Sequence, residues 1–213
     1  MVRKFPKALR GEFAVFRPLA TPAKIQDFID VIPMNFERGG ITSRSPRAAL
    51  ARNEAQCMEG AMIAAAALWY HGEPPLLLDL RTTKHRPRND VDHVVALFRR
   101  NGRWGAISKT NHAVLRYREP VYRDVRELAM SYFHEYFLDN GQKTLREYSA
   151  PFDVRRCGDA WLTARNHLWD INNALDDSRH FSILPQRMAM ELRLADPVER
   201  MAGKVIQWKS KSQ

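Results

Sequence analysis

The sequence has few of the residues that define several common classes of protein. Its 213 residues include 2 cysteines, Cys57 and Cys157, which are too few for a disulfide scaffold, and no C-x-x-C pair suggests a structural zinc site. No apolar run approaches the roughly 20 residues that cross a bilayer. The basic N-terminus leads into no apolar segment, so we expect no signal peptide, no membrane contact and a cytoplasmic location.

Motifs for cofactors are also lacking. The chain has neither G-x-G-x-x-G nor a Walker sequence, so no nucleotide cofactor is predicted. His134-Glu135 lacks the second histidine of H-E-x-x-H and the other histidines are isolated, so no metal is predicted either. The sequence does not indicate an oligomeric state.

The composition is that of a globular domain with a basic surface. Hydrophobic residues make up 45% and charged residues 27%, which excludes a disordered chain. The net charge is +10, and the basic residues are dense only at 84–88 and 204–211. A basic surface attracts anionic partners in general, but most basic domains lack a dedicated groove. We therefore do not expect a nucleic-acid partner, and a basic nucleic-acid-binding module is kept as an alternative.

Two pairs of residues mark the start of helices. Thr21 precedes Pro22 and Ser45 precedes Pro46, the pattern of an N-cap followed by proline at the first helical position. We predict a helix after each pair, the second one ending near Asn53. A third, alanine-rich helix is predicted from residue 56 to 70, and because it is apolar on most faces it should be central and buried.

The hydrophobic period changes after the third helix. Strands are predicted at 76–80, 91–98, 103–108 and 113–117, with Asn101-Gly102 as a tight turn. A helix is predicted at 123–139, and the chain after residue 185 has no firm period. The order of a helix followed by an antiparallel meander predicts an α+β fold. We expect a single domain over 1–213, with a core of about 20–118 and a C-terminal helical extension of about 119–213.

Cys57 is the first candidate for chemistry because it begins the buried helix. The helix dipole and the free N–H groups there should lower the pKa of its thiol. The same N–H groups can bind an oxyanion, and the side-chain amide of Gln56 is a further candidate donor. Cys157 is predicted to be buried and inert.

A nucleophilic thiol needs a base within reach, and His93 in the strand at 91–98 is the candidate. The group that orients its ring should come from the neighbouring strand, where Ser108 lies roughly opposite. A cysteine or histidine by itself is more often structural than catalytic. The ordered set of residues is what points to a site.

Three segments resemble a known family: Cys57-Met58-Glu59-Gly60-Ala61, Asp92-His93-Val94 and Asn101-Gly102-Arg103-Trp104. In this order they are similar to the cysteine helix, the histidine strand and the G-x-W strand of the transglutaminase-like superfamily, a branch of the papain-like cysteine fold. The helices before them resemble those of bacterial transglutaminase-like cysteine proteinases. The resemblance covers residues 20–118.

The resemblance implies a papain/transglutaminase-like fold, in which the central Cys-bearing helix packs on the antiparallel β-meander. It also implies a Cys-His-Asp triad, with Cys57 as the nucleophile that forms a thioester and His93 as the base. The aspartate of the family falls at Ser108. A hydroxyl can hold a ring tautomer but cannot stabilise an imidazolium by charge.

Asn111, three residues further on, could orient His93 instead of Ser108. An acidic group from elsewhere, such as Asp79 or Asp92, is another alternative. The implied activity is a cysteine-dependent hydrolase or acyltransferase that acts on a peptide or an amide-containing small molecule. The serine at position 108 leaves a second alternative, a catalytically altered binding domain of the same fold.

Overall fold

The computed structural model describes residues 3–83 and 90–210, so the basic segment at 84–88 and the last three residues lie outside the described chain. Its helices are α1 (Pro22–Asp30), α2 (Pro46–Arg52), α3 (Cys57–Tyr70), α4 (Val125–Met130), α5 (Trp169–Asp176), α6 (Gln186–Met190) and α7 (Pro197–Gly203). Its strands are β1 (Leu76–Thr82), β2 (His93–Arg100), β3 (Arg103–Ile107), β4 (Arg118–Tyr122), β5 (Leu145–Ser149), β6 (Phe152–Asp153) and β7 (His180–Ser182).

The strands form one antiparallel sheet, which confirms the predicted α+β class. Over the described residues its order is β4-β3-β2-β1-β5-β7, with β6 paired to part of β1. One face of the sheet packs against α3 and the other against α4 and the aromatic residues that follow it. Among the described residues, no helix has both the length and the apolar character to pass through a membrane.

The predicted helix starts are confirmed. The side chains of Thr21 and Ser45 each accept a hydrogen bond from the backbone N–H three residues later, and a proline follows each cap. Asn53 ends α2 in the left-handed conformation, with φ of 51°. The starts of α1 and α2 and the end of α2 depend on contacts within a few residues, which is why the sequence predicts them.

Helix α3 is central, as predicted. Every residue from Met58 to Tyr70 is buried. Gly60 lets a neighbouring segment approach closely, because a β-carbon there would lie 2.2 Å from the Cβ of Lys109. Lys109 is itself buried, and its Nζ donates to the carbonyls of Ile29 and Ile32 at the end of α1. This contact joins α1, α3 and the chain after β3.

The turn between β2 and β3 is also as predicted. Asn101 and Gly102 both have positive φ, at 51° and 76°, the signature of a type I′ turn. The turn sets a register in which Ala96 pairs with Ile107.

The predicted strand at 113–117 is wrong. The fourth strand is β4, five residues further on, and Pro120 lies inside it rather than after it. Pro120 was expected to close the strand at 113–117, but β4 is an edge strand that pairs with β3 alone. Proline is tolerated on an edge because its missing N–H removes no bond from the sheet.

The predicted division into a core and a helical extension is also wrong. Three strands of the C-terminal half join the sheet, and β5 pairs directly with β1. At the other end, Phe5 packs against Trp69 and Tyr70 of α3, ahead of the supposed start of the core. The predicted helix at 123–139 stops at Met130 because the aromatic residues that follow pack under the sheet instead of along a helix face.

Candidate active site

Cys57 and His93 line the same cavity, which has a volume of about 410 Å³ and is here called the central cavity. Cys57 is the first residue of α3 and His93 is the first residue of β2. A backbone hydrogen bond from Val94, the residue after His93, acts on the Cys57 sulfur. The sulfur therefore lies beside the backbone that carries the imidazole.

Ser108 orients the His93 ring by a hydrogen bond of 2.8 Å to Nε2. The register explains the contact: extending the pairing of Ala96 with Ile107 places Ser108 opposite Val95, on the face that His93 shares. Diagonal neighbours on one face of a sheet lie within reach of a long side chain.

The Ser108 hydroxyl donates its hydrogen bond to a backbone carbonyl and not to His93. The hydroxyl donates to the carbonyl of Leu115 at 2.5 Å, so the Ser108 oxygen must accept a hydrogen bond from the Nε2–H of His93. Nδ1 then carries the free lone pair, and no hydrogen bond to Nδ1 is found among the described residues. The hydroxyl thus selects the tautomer in which Nδ1 is a base.

Gln26 holds Ser108 in place, and the sequence analysis missed it. Its carboxamide accepts from the Ser108 N–H at 2.9 Å and donates to the Ser108 carbonyl at 2.8 Å. Gln26 is buried in α1, so it replaces the missing strand partner just beyond the end of β3. A glutamine on an otherwise apolar helix face was the available signal.

The pKa of His93 is lowered to about 4, mainly by burial and further by electrostatic interaction with Arg118 and His112. The imidazole is therefore neutral at physiological pH. A neutral ring can accept a proton, but nothing of negative charge at Nε2 stabilises the imidazolium that would result.

Burial raises the pKa of the Cys57 thiol to about 11, although hydrogen bonds from the backbone N–H groups of Val94 and Met58 oppose the rise. This contradicts the sequence prediction of a lowered pKa. The helix N-terminus does supply donors, but the loss of solvent outweighs them. Cys57 and His93 are thus a neutral thiol and a neutral imidazole.

Two of the predicted site residues have other roles. Asn111 does not orient His93, because its carboxamide pairs with the backbone N–H and carbonyl of Trp208. Gln56 is the N-cap of α3: its Oε1 accepts from the Met58 N–H, and its Nε2 donates to the carbonyl of Thr42 at 2.8 Å. The Gln56 amide therefore already donates to Thr42, and its role as an oxyanion donor stays a prediction.

Neither alternative acid reaches His93 Nε2. Asp92 accepts from the N–H and the hydroxyl of Thr82, at 2.7 and 2.9 Å. Asp79 contacts His180, with 3.1 Å between Asp79 Oδ2 and His180 Nε2. Cys157 is exposed, not buried as predicted.

The N-terminus of α3 is held by a buried carboxylate. Glu59 is fully buried and accepts hydrogen bonds from the Asn35 side chain, the Thr42 hydroxyl, and the N–H groups of Arg44 and Gln56. All these donors belong to the chain just before α3. Glu59 therefore fixes the position of Cys57 relative to the preceding loop.

The C-terminal segment forms part of the cavity rim. Arg200, Gly203 and Lys204 line the central cavity, and Ile206 bridges to His112. This contribution could not be predicted, because the chain after residue 185 has no firm hydrophobic period.

Over the described residues, no group of three or more acidic, histidine or cysteine side chains is arranged to hold a metal ion. The chain matches no protein-family model. It likewise matches none of the curated proteins with which it was compared.

Proposed function

We propose that this protein is a cysteine-dependent hydrolase or acyltransferase that acts on an amide or peptide-like bond through a thioester at Cys57. The observation that carries the proposal is the state of His93: its Nε2–H donates to Ser108, so Nδ1 is the unprotonated nitrogen of a ring that lines the same cavity as Cys57. The resemblance to the transglutaminase-like superfamily points to the same chemistry.

The reaction begins with the transfer of the Cys57 thiol proton to His93 Nδ1 as the sulfur attacks the amide carbon. The Cys57 N–H, at the first position of α3, has no acceptor within the helix and would donate to the oxyanion that forms. The carbon–nitrogen bond then breaks, and the imidazolium returns its proton to the leaving amine. Water or an amine then attacks the thioester carbon and gives a proton to His93. The carbon–sulfur bond breaks, the acid or the new amide leaves, and His93 returns the proton to the Cys57 sulfur.

The neutral state of the pair sets the mechanism apart from one that begins with a thiolate–imidazolium pair. Because the pKa of Cys57 is about 11 and that of His93 about 4, the proton must move while the sulfur attacks. His93 then acts as a general base in the manner of serine hydrolases. Ser108 fixes the tautomer but contributes no charge.

A second candidate is a binding domain that uses the same cavity without chemistry. The raised pKa of the Cys57 thiol and the hydroxyl in place of a carboxylate at Nε2 favour it. This candidate predicts that ligands bind the central cavity and that Cys57 forms no covalent intermediate.

The test is acylation by p-nitrophenyl acetate in a Cys157→Ser background, which removes the exposed thiol. We expect release of nitrophenolate together with an acetyl group on Cys57, located by peptide mass spectrometry. His93→Gln should slow acylation by about 10²–10⁴-fold, the usual effect of losing a general base. Cys57→Ala should abolish the acetylated peptide.

The matched control is His134→Gln, a histidine outside the cavity lining that should leave the rate unchanged. Acetylation of Cys57 that does not depend on His93 would refute general-base catalysis. Absence of acetylated Cys57, together with measurable binding of a ligand in the central cavity, would favour the binding-domain candidate.

A further inference from the structure

A second cavity, which we call the basic cavity, has a volume of about 630 Å³. Most of its lining comes from the chain between α1 and α2, and the rest includes Trp208 and Lys209 near the end of the described chain. Met34 lines both this cavity and the central cavity, whereas neither Cys57 nor His93 lines it. Sites for small molecules are usually cavities of about 300–1,000 Å³. The basic cavity is therefore large enough for a small ligand of its own.

The acidic side chains in the lining of the basic cavity are bound by other residues of the protein. Among the described residues, these acidic side chains are Glu37 and Glu54. Glu54 forms an ion pair with Arg44, with 2.9 Å between its Oε1 and the guanidinium. Glu37 Oε1 accepts hydrogen bonds from the N–H and the hydroxyl of Thr42. Neither carboxylate pairs with the other cations of the lining.

Three cations of the lining lack a carboxylate partner. Arg38, Arg52 and Lys209 form no ion pair with any acidic side chain that the structure describes. Arg38 donates to the Ser210 hydroxyl at 3.0 Å, a contact that neutralises no charge. A single exposed cation is common on a basic surface, but three that line one cavity attract an anion into it.

Two uncharged donors in the same lining point independently to a ligand that accepts hydrogen bonds. The Nε1–H of Trp208 is shielded from solvent and has no acceptor among the described residues. Leaving a buried donor unpaired is costly, so an acceptor supplied by a ligand would be stabilising. The second donor is His167, whose Nδ1 accepts from the Ser43 N–H at 2.9 Å, so its Nε2 carries the proton. No acceptor for that proton is found within the described chain.

We propose that the basic cavity binds the phosphate group of a small phosphate monoester. Such a group has three acceptor oxygens and about two negative charges, enough to pair with Arg52 and Lys209 and to accept from Trp208 and His167. A carboxylate has two oxygens and one charge, and a phosphodiester also carries one charge, so each would leave part of the lining unpaired. This site goes beyond the proposed function, because it uses neither Cys57 nor His93.

The experiment follows the indole N–H signals of the five tryptophans in proton–nitrogen correlation spectra of the full chain. Trp208→Phe identifies the Trp208 signal by its loss. The probe is inorganic phosphate, titrated at constant ionic strength and at a pH of about 8, where a phosphate group is dianionic. We expect a saturable downfield shift of the Trp208 signal, while the signal of Trp104, which lies outside the lining, stays in place. Acetate and dimethyl phosphate should bind at least about 10-fold more weakly.

Two variants locate the site. Arg52→Gln removes an exposed cation of the lining and should weaken phosphate binding about 10-fold, the usual loss for one charged hydrogen bond. Arg17→Gln is the matched control, an exposed arginine outside the lining, and should leave binding unchanged. The proposal is overturned by a Trp208 signal that does not shift to saturation, by equal binding of the three anions, or by equal effects of the two variants.

Discussion

Gln26 binds both backbone groups of Ser108 through a single buried carboxamide, at 2.9 and 2.8 Å. Beyond the last residue of β3 no strand satisfies these groups, and the glutamine of α1 does so instead. The position of the Ser108 hydroxyl, and with it the tautomer of His93, thus depends on a side chain 82 residues earlier in the chain.

Replacing Gln26 should therefore destabilise the protein. Gln26→Ala leaves the Ser108 N–H and carbonyl buried without partners, which should lower the free energy of unfolding by about 2–4 kcal/mol in urea titrations. Lys24→Ala, an exposed change on the same helix, should stay within about 0.5 kcal/mol of the original protein. Equal stability of the two variants would show that the Gln26 contacts contribute little.

Introducing a carboxylate at position 108 should alter the acid–base behaviour of His93. In Ser108→Asp a negative charge next to Nε2 favours the imidazolium, so the pKa of His93 should rise from about 4 by about 1–3 units. Proton NMR titration of the ring measures the change. Ser108→Ala is the control, because it removes the hydrogen bond without adding charge. The same pKa in both variants would contradict the role assigned to the Ser108 position.

The pH dependence of alkylation should distinguish the two thiols. Iodoacetamide reacts with the thiolate, and the thiolate fraction grows as pH rises. Because burial raises the pKa of Cys57 to about 11, its alkylation rate should increase up to that pH. Partial burial also raises the pKa of Cys157, but its side chain is exposed, so the reagent reaches it more readily and it should be labelled faster than Cys57 near neutral pH. Rapid labelling of Cys57 at pH 6 would show that it is instead activated.

Gly60 should tolerate no side chain. In Gly60→Ala the new methyl carbon would lie 2.2 Å from the Cβ of Lys109, and neither backbone can move without disturbing α3. We expect a loss of about 3 kcal/mol or more, seen as a lower melting temperature. Gly39→Ala is the comparison, since no atom lies within 4 Å of a β-carbon there. A Gly60→Ala protein as stable as the Gly39→Ala protein would mean that α3 and the Lys109 segment separate easily.

Local features of the fold could be predicted well. The caps at Thr21 and Ser45, the stop at Asn53 and the type I′ turn at Asn101 all depend on residues within a few positions of one another. Errors arose where distant contacts decide the outcome. Pro120 lies within a strand because β4 is at an edge, and that edge exists only once the sheet is assembled.

In the candidate site, too, some features were predictable from local patterns and others depend on distant contacts. Cys57, His93 and Ser108 could be proposed from spacing, because a helix start and a hairpin register are encoded locally. The sequence offered no means to choose between Ser108 and Asn111, since the choice depends on Trp208 and Leu115, which occupy the competing hydrogen-bonding groups.

The sequence by itself determined the order of the elements from α1 to β3, the residue that begins α3 and the turn that aligns β2 with β3, because these follow from backbone preferences and short-range hydrogen bonds. Only the tertiary structure decided the burial that raises the pKa of Cys57 and lowers that of His93, and the contribution of the C-terminal half to the sheet. These properties arise from the exclusion of water and from contacts between segments far apart in the chain, so no local pattern records them.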